Sequence, residues 1–175
     1  MLKLILNSDH LDSALADALD SCRYRLFIMT ADVKDVHIPT GRRRSKSILR
    51  VFRDLGKRGV EVRLLHSGVP SGPFLEELKQ RGLPETLTMR RCPRVHTKVL
   101  IADGVRMYLG SANLTGAGLG AKSPRRRNFE AGIWTDDVNL IDPMVDEFME
   151  TWSGSHCIDC GRRKYCPAPL EEPPG

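Results

Sequence analysis

A strand, a helix and a second strand follow one another between residues 24 and 66, and this run constrains the fold more than any other part of the chain. Leu26-Phe27-Ile28-Met29 forms an unbroken apolar centre within residues 24–30, as expected of a strand covered on both faces. Ile48, Leu49, Phe52 and Leu55 recur at helical spacing from about Ser45, and Gly59 supplies a stop. Val60-Glu61-Val62-Arg63-Leu64-Leu65 then alternates into a strand. Two strands joined by a helix with short connections make a right-handed crossover, so at least part of the sheet is parallel.

The flanking segments extend this pattern. Residues 1–6 read as a strand, and Leu11, Ala14, Leu15, Ala18, Leu19 and Cys22 as one helix face capped by Ser8 or Asp9. Residues 32–44 read as a polar, basic loop. Residues 74–81 form a short helix closed by Gly82, and residues 86–90 an edge strand. Residues 97–103 and 106–110 are two strands turning at Gly104, and residues 114–127 are a long loop without periodicity. A strand over 129–135 and a helix over 137–152, with Ile141, Val145, Phe148, Met149 and Trp152 at core spacing, complete the domain. The expectation is an α/β fold: a mixed, largely parallel sheet flanked by helices on both faces. One domain covers residues 1–152, and a Cys-rich, then Pro-rich tail covers 153–175.

Lys and Arg number 27 against 22 Asp and Glu, a net charge of +5. The excess is modest, but it is clustered at Arg42-Arg43-Arg44, Arg90-Arg91 with Arg94, Arg125-Arg126-Arg127 and Arg162-Arg163-Lys164. Forked guanidinium donors suit phosphate oxygens, so a polyanion such as DNA or RNA is the expected partner. No stretch approaches the roughly 20 apolar residues of a membrane span. The first residues lack the apolar run and small-residue cleavage site of a secretory signal, which points to a cytoplasmic protein outside the membrane.

The chemistry concentrates in His96-Thr97-Lys98, followed by Asp103 and by Gly110-Ser111-Ala112-Asn113. On a strand, residues two apart share a face, so His96 and Lys98 project together. The end of the neighbouring strand brings the Ser111 hydroxyl and the Asn113 carboxamide alongside. A phosphate placed there meets an imidazole, an ammonium, a hydroxyl and an amide.

The whole pattern (HxK, four residues, D, six residues, GSxN) resembles the signature of the phospholipase D superfamily, with every spacing intact. Asn128-Phe129-Glu130 is similar to its downstream acidic position, Lys57-Arg58-Gly59-Val60-Glu61-Val62 and Asn113-Leu114-Thr115 agree with its surroundings, and the resemblance spans about residues 1–152. It implies phosphoryl transfer without a catalytic metal: one His attacks phosphorus, and a second His from another copy of the motif protonates the leaving oxygen. By that resemblance His96 is nucleophile or acid, Lys98 and Asn113 are phosphate clamps, and Ser111 is a supporting hydrogen-bond partner. Glu130 is expected to orient the imidazole. Asp103 and Gly110 are structural, Asp103 bonding turn amides at the hairpin. Arg125, Arg126 and Arg127 are expected over the site as substrate-backbone contacts, with Arg42, Arg43 and Arg44 doing the same from the other side.

Many members of the superfamily carry two copies of the motif, and this chain carries one. His10, His37, His66 and His156 have no Lys two residues later, so the expected assembly is a homodimer with one shared site. The resemblance implies a nuclease acting on DNA or RNA. A phospholipase or phosphatidyl transferase, and a catalytically silent nucleic-acid-binding module, stand as alternatives.

Cys157-x2-Cys160-x5-Cys166 is the second chemical signal. Three thiols at this spacing favour a structural zinc ion or iron–sulfur cluster, with Cys92 as the fourth ligand because it lies in a polar loop. The spacing also resembles the C-terminal part of an iron–sulfur staple found in some recombination-type nucleases. Cys22 belongs to the first helix face and is expected to be buried.

Overall fold

The computed structural model describes residues 1–40, 44–166 and 168–173. Nine strands and four α-helices are assigned among them. Seven strands make the central sheet: β1 (Leu2–Leu6), β2 (Arg25–Thr30), β5 (Glu61–His66), β6 (Leu87–Arg91), β7 (Lys98–Ala102), β8 (Arg106–Gly110) and β9 (Ala131–Thr135), in the order β1-β9-β8-β7-β2-β5-β6. A separate hairpin pairs β3 (His37–Pro39) with β4 (Ser45–Ser47).

The sheet is mixed, as expected, but it is not largely parallel. Only β2–β5 and β5–β6 run parallel, while β1–β9, β9–β8, β8–β7 and β7–β2 are antiparallel. The crossover rule holds where a helix links the strands, through α2 (Ile48–Lys57) and α3 (Gly72–Arg81). From β7 onward, short turns and the excursion over residues 111–130 return the chain in the opposite direction.

Helices cover both faces. On one face, a π-helical turn His10–Leu15 continues as α1 (Ala16–Ser21). With α2 and α3 it packs Leu15, Phe52, Leu55 and Phe74 against Ile28, Leu64, Leu100, Tyr108 and Trp134. On the other face, α4 (Val138–Ser153) lays Ile141, Phe148 and Trp152 over Phe27, Met29, Val99, Ile101 and Met107. Phe27 and Phe148 stack with centroids 4.5 Å apart, locking that helix in register. The alternation of β2 explains both layers: Leu26 and Ile28 face one core, Phe27 and Met29 the other.

Ser47 caps α2 by accepting from the Arg50 amide, so the helix starts three residues later than its periodicity suggests and residues 45–47 join the hairpin. α4 leaves part of its face of the sheet bare. Leu2, Leu4 and Leu6 on the edge strand β1 stand exposed in a row, paired in register with Thr135, Ile133 and Ala131.

Candidate active site

His96 ends the loop into β7, and Lys98 is the first residue of that strand. The carboxyl ends of β2, β5 and β6, the end of β8 and the start of β9 lie at the same edge of the sheet, the edge where α/β sheets place their ligands. His96 is exposed whereas Lys98 is 8% exposed. The Lys98 ammonium donates to the His96 carbonyl at 2.6 Å and stands 3.2 Å from Nδ1 and 3.4 Å from Nε2 of the ring. Desolvation lowers the Lys98 pKa from its ordinary value, and the Glu130 carboxylate partly opposes this.

Asn113 is held by the end of β2. Its Oδ1 accepts from the amides of Ala31 and Asp32, each at 3.1 Å, and the Thr30 hydroxyl lies 3.2 Å away. Two N–H donors fix which end of the carboxamide is oxygen and leave the Nδ2 protons for another acceptor. Thr30 in turn receives the Leu114 amide at 3.0 Å, so β2 and the loop after β8 are tied at the site.

Glu130 has partners other than the expected imidazole. Its carboxylate accepts from the Ser111 hydroxyl and from Asn128 Nδ2, the latter at 3.0 Å. Ser111 Oγ also receives the Ala131 amide at 3.0 Å, and the Glu130 amide donates to Asn7 Oδ1 at 3.1 Å. The carboxylate therefore braces the ends of β8 and β9. No hydrogen bond joins it to His96 among the described residues.

Gly110 lies opposite Gly132 in the β8–β9 register. A Cβ at either position would overlap the Tyr108 ring or hydroxyl, and one at Gly110 would also lie 2.6 Å from the Ala131 carbonyl oxygen. The two glycines admit a buried Tyr108, whose hydroxyl accepts the Ala112 amide at 3.2 Å. Burial pushes the Tyr108 phenol up to about 12. His10 packs edge-on against the same ring, with centroids 5.3 Å apart. Tyr108 and Thr30 thus support the site without belonging to the motif. Their signal in the sequence is only a buried-strand position.

Asp103 sits at the far end of β7. With Gly104 it forms a turn in which both residues have positive φ, 54° and 73°, the primed geometry that Asp-Gly favours in hairpins. Its carboxylate bonds the amides of Arg23, Tyr24 and Arg25, each at 2.8 Å, rather than amides of its own turn.

Arg125 and Arg126 are exposed on a 3-10 turn, Pro124–Arg126, whereas Arg127 donates from Nε to the Lys122 carbonyl at 2.6 Å. The loop closes back through an Asn128 amide bond to the Ala117 carbonyl. Arg44 is exposed at the tip of the β3–β4 hairpin, and Arg42 and Arg43 lie outside the described residues.

Beside His96 a cavity of about 210 Å³ is lined by Arg94, Thr97, Glu147, Thr151 and His156 together with Cys92. A second, smaller cavity of about 30 Å³ adjoins it and is lined by Cys92, Cys157, Cys160 and Cys166. Partial burial raises the Cys166 pKa, and charge on the other three thiols adds to the effect. Cys22 is fully buried, as its helix face predicts.

No match to this sequence was found among curated proteins. Among solved structures, the phospholipase D family member Nuc from Salmonella typhimurium superimposes with a TM-score of 0.62 at 18% identity, covering 87% of this chain and 94% of that one. NucT from Helicobacter pylori gives 0.58 at 19% identity, covering 86% of this chain and 95% of that one. TrmBL2, an archaeal chromatin protein with a novel mode of DNA binding, gives 0.53 at 15%, covering 87% and 52%. These likenesses establish the fold. The family model for the cardiolipin synthase, phospholipase D-like domain matches residues 15–152 and includes every motif position from His96 to Glu130. That stretch is most of the chain, and the protein belongs to the phospholipase D superfamily.

Proposed function

We propose that the protein is a phosphodiesterase that cleaves DNA or RNA through a phosphohistidine intermediate, with one active site shared by two copies of the chain. The observation that carries this reading is the exposed His96 ring set against the buried Lys98 ammonium, beside an Asn113 amide locked with its protons free. His96 attacks phosphorus and the P–O bond to the leaving group breaks, the leaving oxygen taking a proton from the partner subunit's His96. Water then gives that proton back as it attacks phosphorus, and the P–N bond breaks. Lys98 and the Asn113 amide hold the phosphoryl oxygens as charge builds on them. None of these steps calls on a metal ion.

The second copy is needed because the motif supplies one His, whereas both steps use another, first as acid and then as base. The bare row of Leu2, Leu4 and Leu6 runs to the site edge, where Phe129 is 96% exposed next to Glu130. An apolar strip of that kind favours association with another chain. Arg125, Arg126 and Arg44 supply guanidinium groups for a nucleic-acid backbone. Among the described residues no helix is long and apolar enough to cross a membrane. The family model is named for a lipid enzyme, so anionic phospholipid is the second substrate to assay.

The test is cleavage of labelled single- and double-stranded DNA and RNA in excess EDTA. Cleavage that survives EDTA and disappears in His96→Ala is expected. Absence of cleavage by a verified dimer overturns the nuclease reading. Leu4→Glu is expected to yield inactive monomers by sedimentation, and an active monomer overturns the shared site.

A further inference from the structure

We infer that Cys92, Cys157, Cys160 and Cys166 form a tetrathiolate site for a thiophilic metal centre, a zinc ion or an iron–sulfur cluster, which clamps the C-terminal tail to the loop carrying His96. The inference stands apart from the substrate reading above.

Four of the chain's five cysteines line one small cavity, although Cys92 precedes the other three by more than sixty residues. Cys92 packs partly against the α4 core, but Cys157, Cys160 and Cys166 belong to neither core cluster, so core packing does not account for the convergence of all four. The fifth, Cys22, is fully buried in the core, with its thiol donating to the Arg25 carbonyl at 3.1 Å. The tail offers little apolar surface of its own: Leu170 packs on the α4 core, while Ile158 and Tyr165 face solvent. Its other ties among the described residues include one backbone bridge from Arg91 to Glu171 and the half-exposed ion pairs Arg91–Glu171 and Arg90–Glu172, contacts of a kind that hold weakly. A segment this poor in core contacts gains much of its anchoring when a bound metal cross-links it to the core.

Soft sulfur ligands select zinc and iron–sulfur centres over hard cations. Either centre bound by four thiolates carries net negative charge. Arg94, Arg162 and Arg163 line the same cavity and offset that charge, and Arg94 Nη1 already lies 3.9 Å from Cys160 Sγ. His156 also borders the cavity, but its Nε2 faces the Glu150 carboxylate at 3.6 Å, which leaves the ligand set to the thiols. Among the described residues, three ligand atoms within 4.8 Å of one another occur at Glu147, Glu150 and His156, and the thiols are not so close. Around zinc, with Zn–S near 2.3 Å, tetrahedral sulfurs sit about 3.8 Å apart. Loading the site with zinc therefore draws the thiols closer together.

Cys92, Arg94, Thr151 and His156 line both this cavity and the one containing His96. Cys92 is four residues before His96, so a metal on Cys92 fixes the approach to the nucleophile.

The test uses the full chain purified anaerobically, with zinc and iron measured by elemental analysis and the visible spectrum recorded. Near-stoichiometric zinc without colour, or iron with sulfide and a broad visible charge-transfer band, is the expected result and tells the two centres apart. Cys92→Ser and Cys160→Ser should each lose that metal. Should either variant fail to fold by circular dichroism, the wild type decides: a chelator should expose the tail to protease, and zinc alone, or ferrous iron with sulfide, should restore protection. A wild-type chain free of both metals that takes up neither, metal retained by both variants, protease sensitivity unmoved by chelation, or disulfides among the four cysteines in unreduced protein would each overturn the inference.

Discussion

Asp103→Asn is expected to loosen the end of the sheet opposite the site while leaving the chemistry intact. Asn tolerates the φ of 54° that this turn demands, so the substitution isolates the charge. Oδ1 accepts the amides of Tyr24 and Arg25, and Oδ2 that of Arg23, all at 2.8 Å. An Asn keeps its oxygen toward Tyr24 and Arg25, and its NH₂ then confronts the Arg23 amide. A bond to a charged group contributes about 1.5–3 kcal/mol and a neutral one about 1 kcal/mol, so one ionic bond is lost and two are weakened. After allowance for solvent screening at a partly exposed position, the loss comes to about 2–3 kcal/mol. For a domain of this size that lowers the melting temperature by roughly 4–12 °C. The pH dependence carries the sign. Burial opposes ionisation of Asp103, but the amides of Arg25, Tyr24 and Arg23 and the Cys22 thiol together outweigh it, and the carboxyl sits below its ordinary range. A depressed folded pKa gives stability that is complete above the unfolded value of about 3.9 and fades as pH falls through the lower folded value. Thermal melts of both proteins across acid pH should show a constant gap near neutrality that closes in strong acid. Equal melting at neutral pH, or a gap that widens in acid, would refute the reasoning.

Three further outcomes follow from the site. In the proposed chemistry the Lys98 ammonium clamps phosphate only while charged, and its pKa is held below 10.5, so cleavage should fall along an alkaline limb that begins earlier than a free lysine would give; stability should instead rise through that window, since the unfolded chain holds the proton more tightly. A pH–rate profile paired with alkaline melts checks both signs, and an alkaline limb at or above the ordinary lysine range counts against the clamp. Arg125→Ala with Arg126→Ala should reduce the slope of log affinity against log salt by up to about 2 on duplex DNA, whereas Arg127→Ala should change it little because that side chain is tied to Lys122. Asn113→Asp should cut cleavage by about 10²–10³, because a carboxylate replaces the free amide donor and repels phosphate; single-turnover rates measure this, and a fall below tenfold would assign Asn113 to structure alone.

Much of this molecule was legible in its residues because the deciding signals are local. His96, Lys98, Ser111 and Asn113 meet at one sheet edge because a hairpin with an Asp-Gly turn keeps their spacing in register. The two-faced burial of Leu26–Met29 follows directly from an unbroken apolar run. The proportion of parallel pairing was not legible, because strand direction depends on how the chain returns over residues 111–130, a stretch without periodicity. Residues 37–39 and 45–47 were hidden for a related reason: three-residue strands in polar sequence carry no alternation to detect. Residue 129 was misplaced, since Phe suits a strand by propensity but stands free before β9 begins at Ala131. Met149 shows the limit of helical spacing, being 36% exposed at a nominally core position. The partners of Glu130 could not be read at all, because they join three segments distant in sequence.

The facing glycines around Tyr108 bear on how this protein should be searched for catalytic residues. Gly110 and Gly132 touch no substrate in the proposed chemistry, yet a single methyl at either would press on the ring whose hydroxyl seats Ala112, one residue before Asn113. A saturation scan scored by activity would therefore rank both with His96 and Lys98, and only a parallel scan scored by folded abundance would separate the hands from the joints that hold them.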